Sequence, residues 1–385
     1  MTSSRLDQYR TASTRRGDWL LVYLTIGLVA FGLVMILSAS AYLAESINDQ
    51  YRFLVQQLAS FGLGLLVLGV FSRLDYQLWR RYSGMILVVL VILLLVVFIS
   101  PACRSVHRCV DLGPLRFQPA EFVKVGFAIY LAAWLTRLGP RIHDLKEGFG
   151  TFCAILGLFG GLIFLEPDMG TAVTLMVAGV VMYFLAGAPW RHLLLGFLLG
   201  IVLLGGMTLS ADYRLARLET FLASGPSDPL GADYHTNQIA IALGSGGWWG
   251  LGLGQGKLKE LGYLPEVHTD SIFAVVVEEL GFGRSLLVVA AYLFLLMRGF
   301  RIAKEAPDRF GQLLAAGLTS LMAIQASINL AAMLSLVPLT GIPLPLISYG
   351  GSSLVATLGA IGILLSISRQ GQAPVARLEK ARLSR

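Results

Sequence analysis

The sequence predicts an all-α polytopic membrane protein with about ten transmembrane helices. Three features of the 385-residue chain lead to this prediction. Only 14% of the residues are charged, whereas soluble domains carry about 25%. Hydrophobic residues make up 56% of the chain, and they are gathered in runs of about 20, the length that an α-helix needs to cross a bilayer. Mostly short polar segments separate the runs, and none predicts a soluble domain.

The first apolar run follows a polar segment and lacks a small-residue cleavage site, so it predicts a retained helix rather than a cleaved signal peptide. We expect an N-terminal tail over 1–18, a transmembrane domain over 19–368 and a C-terminal tail over 369–385. The ten spans are expected at about 19–40, 54–72, 82–100, 118–136, 149–165, 171–187, 191–209, 270–297, 310–336 and 349–368.

Positive charge is distributed in a way that predicts the orientation in the membrane. With the N-terminus placed in the cytoplasm, 20 of the 30 Lys and Arg residues fall in cytoplasmic segments, eight in outer loops and two within spans. This asymmetry fits the positive-inside rule and predicts that both tails are cytoplasmic. Topology therefore explains the net charge of +7, and a nucleic-acid-binding role is not expected.

Two irregular connections are expected on the outer side. The segment 210–269 mixes aromatic residues, arginines, glycines and apolar stretches such as "NQIAIAL", which predicts an ordered, partly membrane-lying loop. The last connection, "VPLTGIPLPLISYGGSS", has three prolines and three glycines around an apolar centre. Backbone this irregular is tolerated at membrane depth only when it is buried in protein or lines a wet cavity.

The chain has three cysteines, and their spacing matches no metal-binding pattern. Cys103 and Cys109 lie in one predicted outer loop, "PACRSVHRCVDLG", where an oxidising compartment permits a disulfide. Two free thiols fit the same spacing equally well, so the sequence leaves both alternatives open.

Two ionisable residues stand inside the predicted fourth span, in "RFQPAEFVKVGFAIYLAAWL". Each costs about 2.5–3.5 kcal/mol to insert into a bilayer, so its presence needs a reason. Glu121 and Lys124 are three residues apart and share one helical face. They are either a self-neutralising pair that eases burial or the wall of a polar cavity in which Lys124 holds an anionic head group.

Further charged residues cluster at the expected outer ends of the spans. Asp168, in "FLEPDMGTAV", is either the N-cap of the following helix or a carboxylate that faces the same cavity. A divalent cation, Mg²⁺ or Mn²⁺, is compatible with carboxylates at this position, although the spacing does not demand one. Arg214 and Arg217 are three apart in "YRLARLETF" and form either a bidentate phosphate clamp or a contact to lipid phosphates in general.

The segment "GYLPEVHTDSIFAVVVEELG" begins the eighth span with a concentration of charge. Asp270 or Thr269 could cap the helix, while Glu278 and Glu279 lie about 12–14 Å deeper at ~1.5 Å per residue. Lys124 is our candidate cationic partner for a carboxylate at that depth. Carboxylates and cations gathered at one face of the membrane suit a reaction on a lipid that carries phosphate.

Five segments, taken in chain order, resemble the signature motifs of a known family. They are "FQPAEFVK", "EPDMGT", "YRLARLETFL", "LPEVHTDSIFAVVVEELG" and "GIPLPLISYGGSSL". The family is SEDS (shape, elongation, division and sporulation), the FtsW/RodA/SpoVE-type glycosyltransferases that build peptidoglycan, and the wording of the motifs is closer to the FtsW-like division branch. The resemblance spans the chain from the first span to the last.

The resemblance implies a fold, an activity and a partner. The fold is a ten-helix bundle with a large extracytoplasmic loop between helices 7 and 8, in the bacterial plasma membrane. The activity is polymerisation of lipid II, an undecaprenyl-diphosphate-linked disaccharide pentapeptide, into glycan strands. The partner is a class B penicillin-binding transpeptidase, together with other membrane proteins of the division or elongation machinery.

The resemblance also assigns roles to individual residues. The essential acidic residue of the family's "HTD" element falls on Asp270, the expected catalytic base. The expected substrate-binding residues are Glu121, Lys124, Asp168, Arg214, Arg217, His268 and Glu279.

Four positions depart from the family's usual pattern. Cys109 stands where a tryptophan is typical, and a disulfide to Cys103 would be a substitute brace. Glu166 replaces a glutamine, and Ala120 replaces a serine. Arg284, in "GFGRSLL", stands where an apolar residue is expected.

The chemistry implied by the resemblance is an inverting single displacement at a sugar that carries an α-linked diphosphate. Such a reaction needs a base near the attacking hydroxyl and a cation near the leaving diphosphate. Asp270 would be the base, and Lys124, Arg214, Arg217 or a divalent cation would stabilise the diphosphate. Two alternatives remain at this point: a flippase that moves lipid II across the bilayer, and a non-catalytic scaffold for cell-wall enzymes.

Overall fold

The protein is a multi-pass membrane protein built almost wholly from helices. The computed structural model describes residues 17–47, 51–99, 109–112, 115–166, 168–209, 234–256 and 267–371. In this part of the chain, seven helices are long and apolar enough to cross a membrane, and three shorter apolar helices bring the number to ten. The predicted ten-helix architecture is therefore confirmed.

The helices lie close to the predicted spans because the apolar runs set their positions. The first and eighth spans continue seven and eight residues beyond the predicted ends. In chain order the helices are α1 (Trp19–Ile47), α2 (Arg52–Arg73), α3 (Gln77–Arg81), α4 (Ser83–Ile99), α5 (Pro119–Leu138), α6 (Thr151–Leu165), α7 (Met169–Leu185), α8 (Trp190–Leu209), α9 (Tyr234–Gly246), α10 (Ile272–Glu305), α11 (Arg309–Met333) and α12 (Gly351–Gly371).

The centre of the bundle is formed by α5, α11 and α12, whose residues are buried on nearly every side. Small residues let the backbones approach closely, as is usual between membrane helices. Gly362 of α12 lies against α2, where an added Cβ would be only 2.8 Å from the carbonyl oxygen of Leu68. The helices α4 and α8 lie at the periphery, and their exposed leucines, isoleucines and valines are suited to lipid contact.

One short hairpin departs from the all-helical prediction. Val110–Leu112 pairs antiparallel with Leu115–Phe117 immediately before α5. Cys109, at the start of this hairpin, is disulfide-bonded, whereas Cys153 is a free thiol. The structure thus favours the disulfide alternative over free thiols, although Cys103 lies outside the described residues.

The described part of the long 210–269 connection is ordered, as the sequence predicts. Its helix α9 contains the "NQIAIAL" stretch and packs against α10, with Ile239 and Ala242 fully buried. After α9 the chain forms a non-helical segment, residues 247–252, that inserts into the path of α10.

The helix α10 is broken at Gly281, which has φ 80° and ψ 164°. A residue with a side chain would be strained at this positive φ, so glycine suits the break. The 247–252 segment supplies partners for the backbone groups that the break separates. The four bonds run from Leu251 N to Glu278 O (3.0 Å), from Gly252 N to Glu279 O (2.9 Å), from Phe282 N to Gly247 O (2.9 Å) and from Gly283 N to Trp248 O (3.2 Å).

Candidate functional site

The candidate site is organised by the 337–350 loop, which joins α11 to α12 without regular secondary structure. Residues 344–348 of the loop are buried within the bundle, as irregular backbone at membrane depth requires, whereas Gly341 is exposed. Gly341 and Leu346 have positive φ values of 69° and 67°, and the latter is an uncommon conformation for a leucine. The hydroxyl of Ser348 accepts a bond of 2.8 Å from the backbone nitrogen of Leu344, which closes the turn between them.

Asp270 lies against this loop and is 8% exposed. An added Cβ at Gly341 would be 3.9 Å from Oδ2 of Asp270, so the carboxylate and the loop are neighbours. The Thr269 hydroxyl donates to Oδ1 at 3.2 Å. The side-chain amide of Asn329, on α11, donates to the backbone oxygens of Asp270 and Ile342, both at 2.8 Å. Asn329 therefore ties the turn that carries Asp270 to the loop.

The prediction that Asp270 or Thr269 caps the eighth span is wrong. The N-cap residue of α10 is Ser271, which makes no capping bond with its side chain. Its hydroxyl instead pairs with Nε2 of His235 at 2.8 Å, which joins α9 to the start of α10. Asp270 is consequently placed in the turn before the helix rather than at its cap.

Glu121 and Lys124 form the buried ion pair that the sequence suggests. Nζ of Lys124 lies 2.8 Å from Oε1 of Glu121, and both side chains are almost fully buried. Nζ also donates to Oε1 of Gln325 at 2.7 Å. A cavity of about 20 Å³ adjoins the pair, which is room for about one water molecule. The self-neutralising alternative is therefore confirmed, while the binding of an anionic head group by Lys124 stays a prediction.

Gln325 and Asn329 are functional candidates that the sequence reasoning missed. They lie one turn apart on α11, and each links one predicted site residue to one carbonyl of the loop. Gln325 binds Lys124 and donates to the carbonyl oxygen of Pro343 at 3.0 Å, while Asn329 links Asp270 to Ile342. The signal was present in "AIQASINL", where two amides four residues apart interrupt an apolar span.

Asp168 is the N-cap of α7, so the capping alternative is confirmed. Its Oδ1 accepts from the backbone nitrogen of Thr171 at 3.0 Å, and its Oδ2 accepts from Nε2 of Gln118 at 3.2 Å. Asp168 also lies beside the loop, because an added Cβ at Gly170 would be 3.0 Å from the carbonyl oxygen of Thr340. The structure brings Asp168, Asp270 and the Glu121–Lys124 pair to one loop.

His268 packs at the same end of the site. Its ring centroid lies 4.5 Å from that of Phe53 and 5.3 Å from that of Tyr349, and its carbonyl oxygen accepts from the backbone nitrogen of Tyr349 at 2.9 Å. These contacts fix the "HTD" turn between α2 and the loop. Arg214 and Arg217 lie outside the described residues.

Glu279 belongs to a different group of contacts. Both of its carboxylate oxygens accept from the Ser38 hydroxyl of α1 at 2.8 Å, and Oε2 accepts from the backbone nitrogen of Gly254 at 3.1 Å. The fully buried carboxylate therefore braces α1 and the segment after α9 near the break in α10. Its predicted role in substrate binding stays a prediction.

Comparisons with known proteins agree with this geometry. The family model described as cell cycle protein (FtsW/RodA/SpoVE) matches residues 18–373. Stage V sporulation protein E of Bacillus subtilis is 38% identical over 356 residues, 91% of this chain and 97% of that protein. A relative from Trichlorobacter lovleyi, named probable peptidoglycan glycosyltransferase FtsW, is 38% identical over 355 residues, 91% of this chain and 93% of that protein.

A solved structure is also similar over nearly the whole chain. It is a peptidoglycan synthase complex described as coordinating polymerization and crosslinking. One of its chains matches with a TM-score of 0.76 and 28% identity, covering 92% of this chain and 98% of that one. The motifs, the ten-helix fold and these similarities lead to one conclusion: the chain belongs to the FtsW/RodA/SpoVE family of cell cycle proteins.

Proposed function

We propose that this protein is a peptidoglycan glycosyltransferase that polymerises lipid II into glycan strands at the outer face of the plasma membrane. The observation that carries the proposal is that Asp270 and Lys124 are both linked to the 337–350 loop, Asp270 through Asn329 and Lys124 through Gln325. The relatives support it, since the one from Trichlorobacter lovleyi is named as a probable peptidoglycan glycosyltransferase.

In the proposed mechanism, Asp270 acts as the general base for an inverting single displacement. Its carboxylate takes the proton from the attacking sugar hydroxyl while the bond between the donor sugar and the diphosphate breaks. The hydroxyl oxygen becomes the new glycosidic oxygen, and undecaprenyl diphosphate leaves with the bonding electrons. Lys124, Arg214 and Arg217 stabilise the departing charge, because a cation directed at developing negative charge lowers the barrier.

Orientation and partner follow from the same proposal. The distribution of Lys and Arg supports a cytoplasmic location for residues 1–18 and 369–385 and an outer location for the 210–269 loop, on the side of Asp270. The similarity to a chain of a peptidoglycan synthase complex supports a class B penicillin-binding protein as partner. The relatives named FtsW favour cell division as the setting.

The proposal is tested by giving labelled lipid II to the purified protein and its transpeptidase partner in vesicles. We expect glycan strands to form and to lengthen with time. Movement of lipid II between leaflets without any polymer would instead identify a flippase, to which broken helices and irregular membrane backbone are equally suited. If neither polymer nor movement of lipid II is detected while the transpeptidase partner is active, only the scaffold role remains.

A divalent cation enters the proposal as a ligand of the diphosphate. Among the described residues no group of three or more His, Cys, Asp or Glu side chains could hold a metal ion. Mg²⁺ is commonly bound by one or two carboxylates together with substrate phosphates, so a complete protein cage is unnecessary. We expect EDTA to lower the polymerisation rate at least ~10-fold and Mg²⁺ or Mn²⁺ to restore it. An unchanged rate would show that Lys124, Arg214 and Arg217 stabilise the departing diphosphate without a metal ion.

Replacing Asn329 by leucine should slow polymerisation by about 100-fold while leaving the KM for lipid II nearly unchanged. The substitution removes the amide that holds the Asp270 turn, and a misplacement of about 1 Å can cost that factor. Two buried carbonyls also lose their donor, at about 1–3 kcal/mol each. The check is a rate measurement over a range of lipid II concentrations.

The matched control for Asn329 is Thr319→Val on the same helix. The buried Thr319 hydroxyl donates only within α11, to the carbonyl oxygen of Ala315 at 2.8 Å, so its loss should change the rate less than ~2-fold. If Asn329→Leu raised KM and left the maximal rate intact, the positioning role would be wrong.

A further inference from the structure

A second candidate site lies between α1 and α10, and none of its lining residues belongs to the 337–350 loop. It is a groove of about 530 Å³ between α1 and α10, within the volume range of small-molecule sites. Apolar residues form most of its lining, and Arg284 is the one charged residue among those that line it in the described structure. The lining includes Leu24, Gly27 and Phe31 of α1 and Leu287, Val288 and Ala291 of α10.

The depth of the groove follows from two contacts that fix α1 and α10 antiparallel. Ser38 binds Glu279 at one end, and Asp18 accepts from Nε of Arg298 at 2.9 Å at the other. Arg284 is five residues from Glu279, or about 8 Å along a helix, and fourteen residues from Arg298, or about 21 Å. The α1 lining from Leu20 to Phe31 extends about 16 Å along that helix.

The edge of the hydrocarbon region lies close to Arg284. The non-helical 247–252 segment packs on Gly281 and Gly283, and irregular backbone is not found facing lipid tails. Trp248 and Trp249 in this segment are 58% and 69% exposed, and exposed tryptophans concentrate at membrane–water interfaces. Arg284, about one turn further along α10, is therefore placed just inside this edge, from which its long side chain can reach the head groups.

The charge of Arg284 is not balanced within the described residues. Its Nη1 donates to the carbonyl oxygen of Trp249 at 3.2 Å, and no ion pair to a described carboxylate forms. A guanidinium has five N–H donors and matches phosphate oxygens bidentately. A cation at head-group level above an apolar channel is complementary to a phosphate that carries an apolar chain.

We propose that the groove binds one acyl chain of an anionic glycerophospholipid, with Arg284 paired to the lipid phosphate. A phosphate that carries an apolar chain satisfies both features of the groove, the guanidinium of Arg284 and the apolar lining. None of the lining residues belongs to the proposed catalytic site, and the proposal does not depend on it.

Native mass spectrometry of the detergent-purified chain, titrated with phosphatidylglycerol or phosphatidylcholine, tests the proposal. We expect the first phosphatidylglycerol to bind about fivefold more tightly than the first phosphatidylcholine, since one cation near anionic lipid contributes about that factor. Arg284→Gln should reduce the ratio to about one. Arg81→Gln, which removes an exposed cation elsewhere, should leave the ratio intact.

A second variant fills the groove without touching the charge. An added Cβ at the exposed Gly27 meets no atom within 4 Å, so Gly27→Leu should fold and occlude the channel. We expect it to weaken the first binding of both lipids at least fivefold. Gly62→Leu is the matched control, because Gly62 on α2 is equally open.

Three results would overturn the proposal. The first is equal binding of the two lipids to the unaltered protein, or a ratio that survives Arg284→Gln. The second is displacement of the first phosphatidylglycerol by an equal concentration of undecaprenyl phosphate, which would assign the groove to the substrate's lipid. The third is displacement by the partner's isolated transmembrane segment, which would make the groove a protein contact.

Discussion

Replacing Asp270 by asparagine is expected to lower the rate of glycan polymerisation by a factor of about 10²–10⁴ without unfolding the protein. Asparagine has nearly the same shape and cannot accept the proton of the attacking hydroxyl. The bond from Asn329 to this residue uses the backbone oxygen, so it remains. The rate is measured from labelled lipid II with the transpeptidase partner present, and folding is followed by thermal unfolding.

The matched control is Asp308→Asn. Asp308 is also a partly buried carboxylate in a turn next to a span, but it lies at the far end of α10 from Asp270. It caps α11 through Gly311 N at 3.0 Å and accepts from the Tyr76 hydroxyl at 2.8 Å. Its replacement should cost about 1 kcal/mol of stability and leave the polymerisation rate within ~3-fold. Undiminished polymerisation by Asp270→Asn would remove Asp270 as the base.

Replacing Lys124 by methionine is expected to damage both stability and activity. The substitution leaves the Glu121 carboxylate buried without its ion-pair partner, which typically costs about 3–5 kcal/mol. It also removes a cation that the proposed mechanism places near the leaving diphosphate. We therefore expect a lower unfolding temperature together with a polymerisation rate reduced at least ~100-fold.

A double variant separates the two effects of Lys124. Glu121→Gln combined with Lys124→Met replaces the ion pair by neutral side chains of similar size, so most of the lost stability should return. Activity should stay low, because the cation is still absent. Recovery of polymerisation in the double variant would show that the pair serves only to neutralise itself within the bundle.

The ten spans could be predicted because each depends on its own run of apolar residues. The same local reasoning failed where a distant segment decides the structure. The break in α10 at Gly281 depends on partners from residues 247–252, and no periodicity within α10 indicates them. Nor does the sequence indicate that the Glu279 carboxylate binds the hydroxyl of Ser38, 241 residues away.

The site could be predicted in part for the same reason. Asp270 and the Glu121–Lys124 pair stand out because charge is costly inside an apolar run. Gln325 and Asn329 carry no charge, and their importance comes from the carbonyls of Pro343 and Ile342, which only the folded loop places within reach. Neutral amides in a span therefore indicate a site only once the loop they bind is known.

The proposed mechanism requires that Asp270 contacts the attacking sugar hydroxyl beside the 337–350 loop. Its most direct test is a structure of the protein and its partner with an acceptor and an unreactive donor whose diphosphate link cannot break. We expect the acceptor hydroxyl within about 2.6–3.2 Å of an Asp270 carboxylate oxygen, with the diphosphate on the Lys124 side of the loop. Sugars bound away from this loop, with another carboxylate at the hydroxyl, would contradict it.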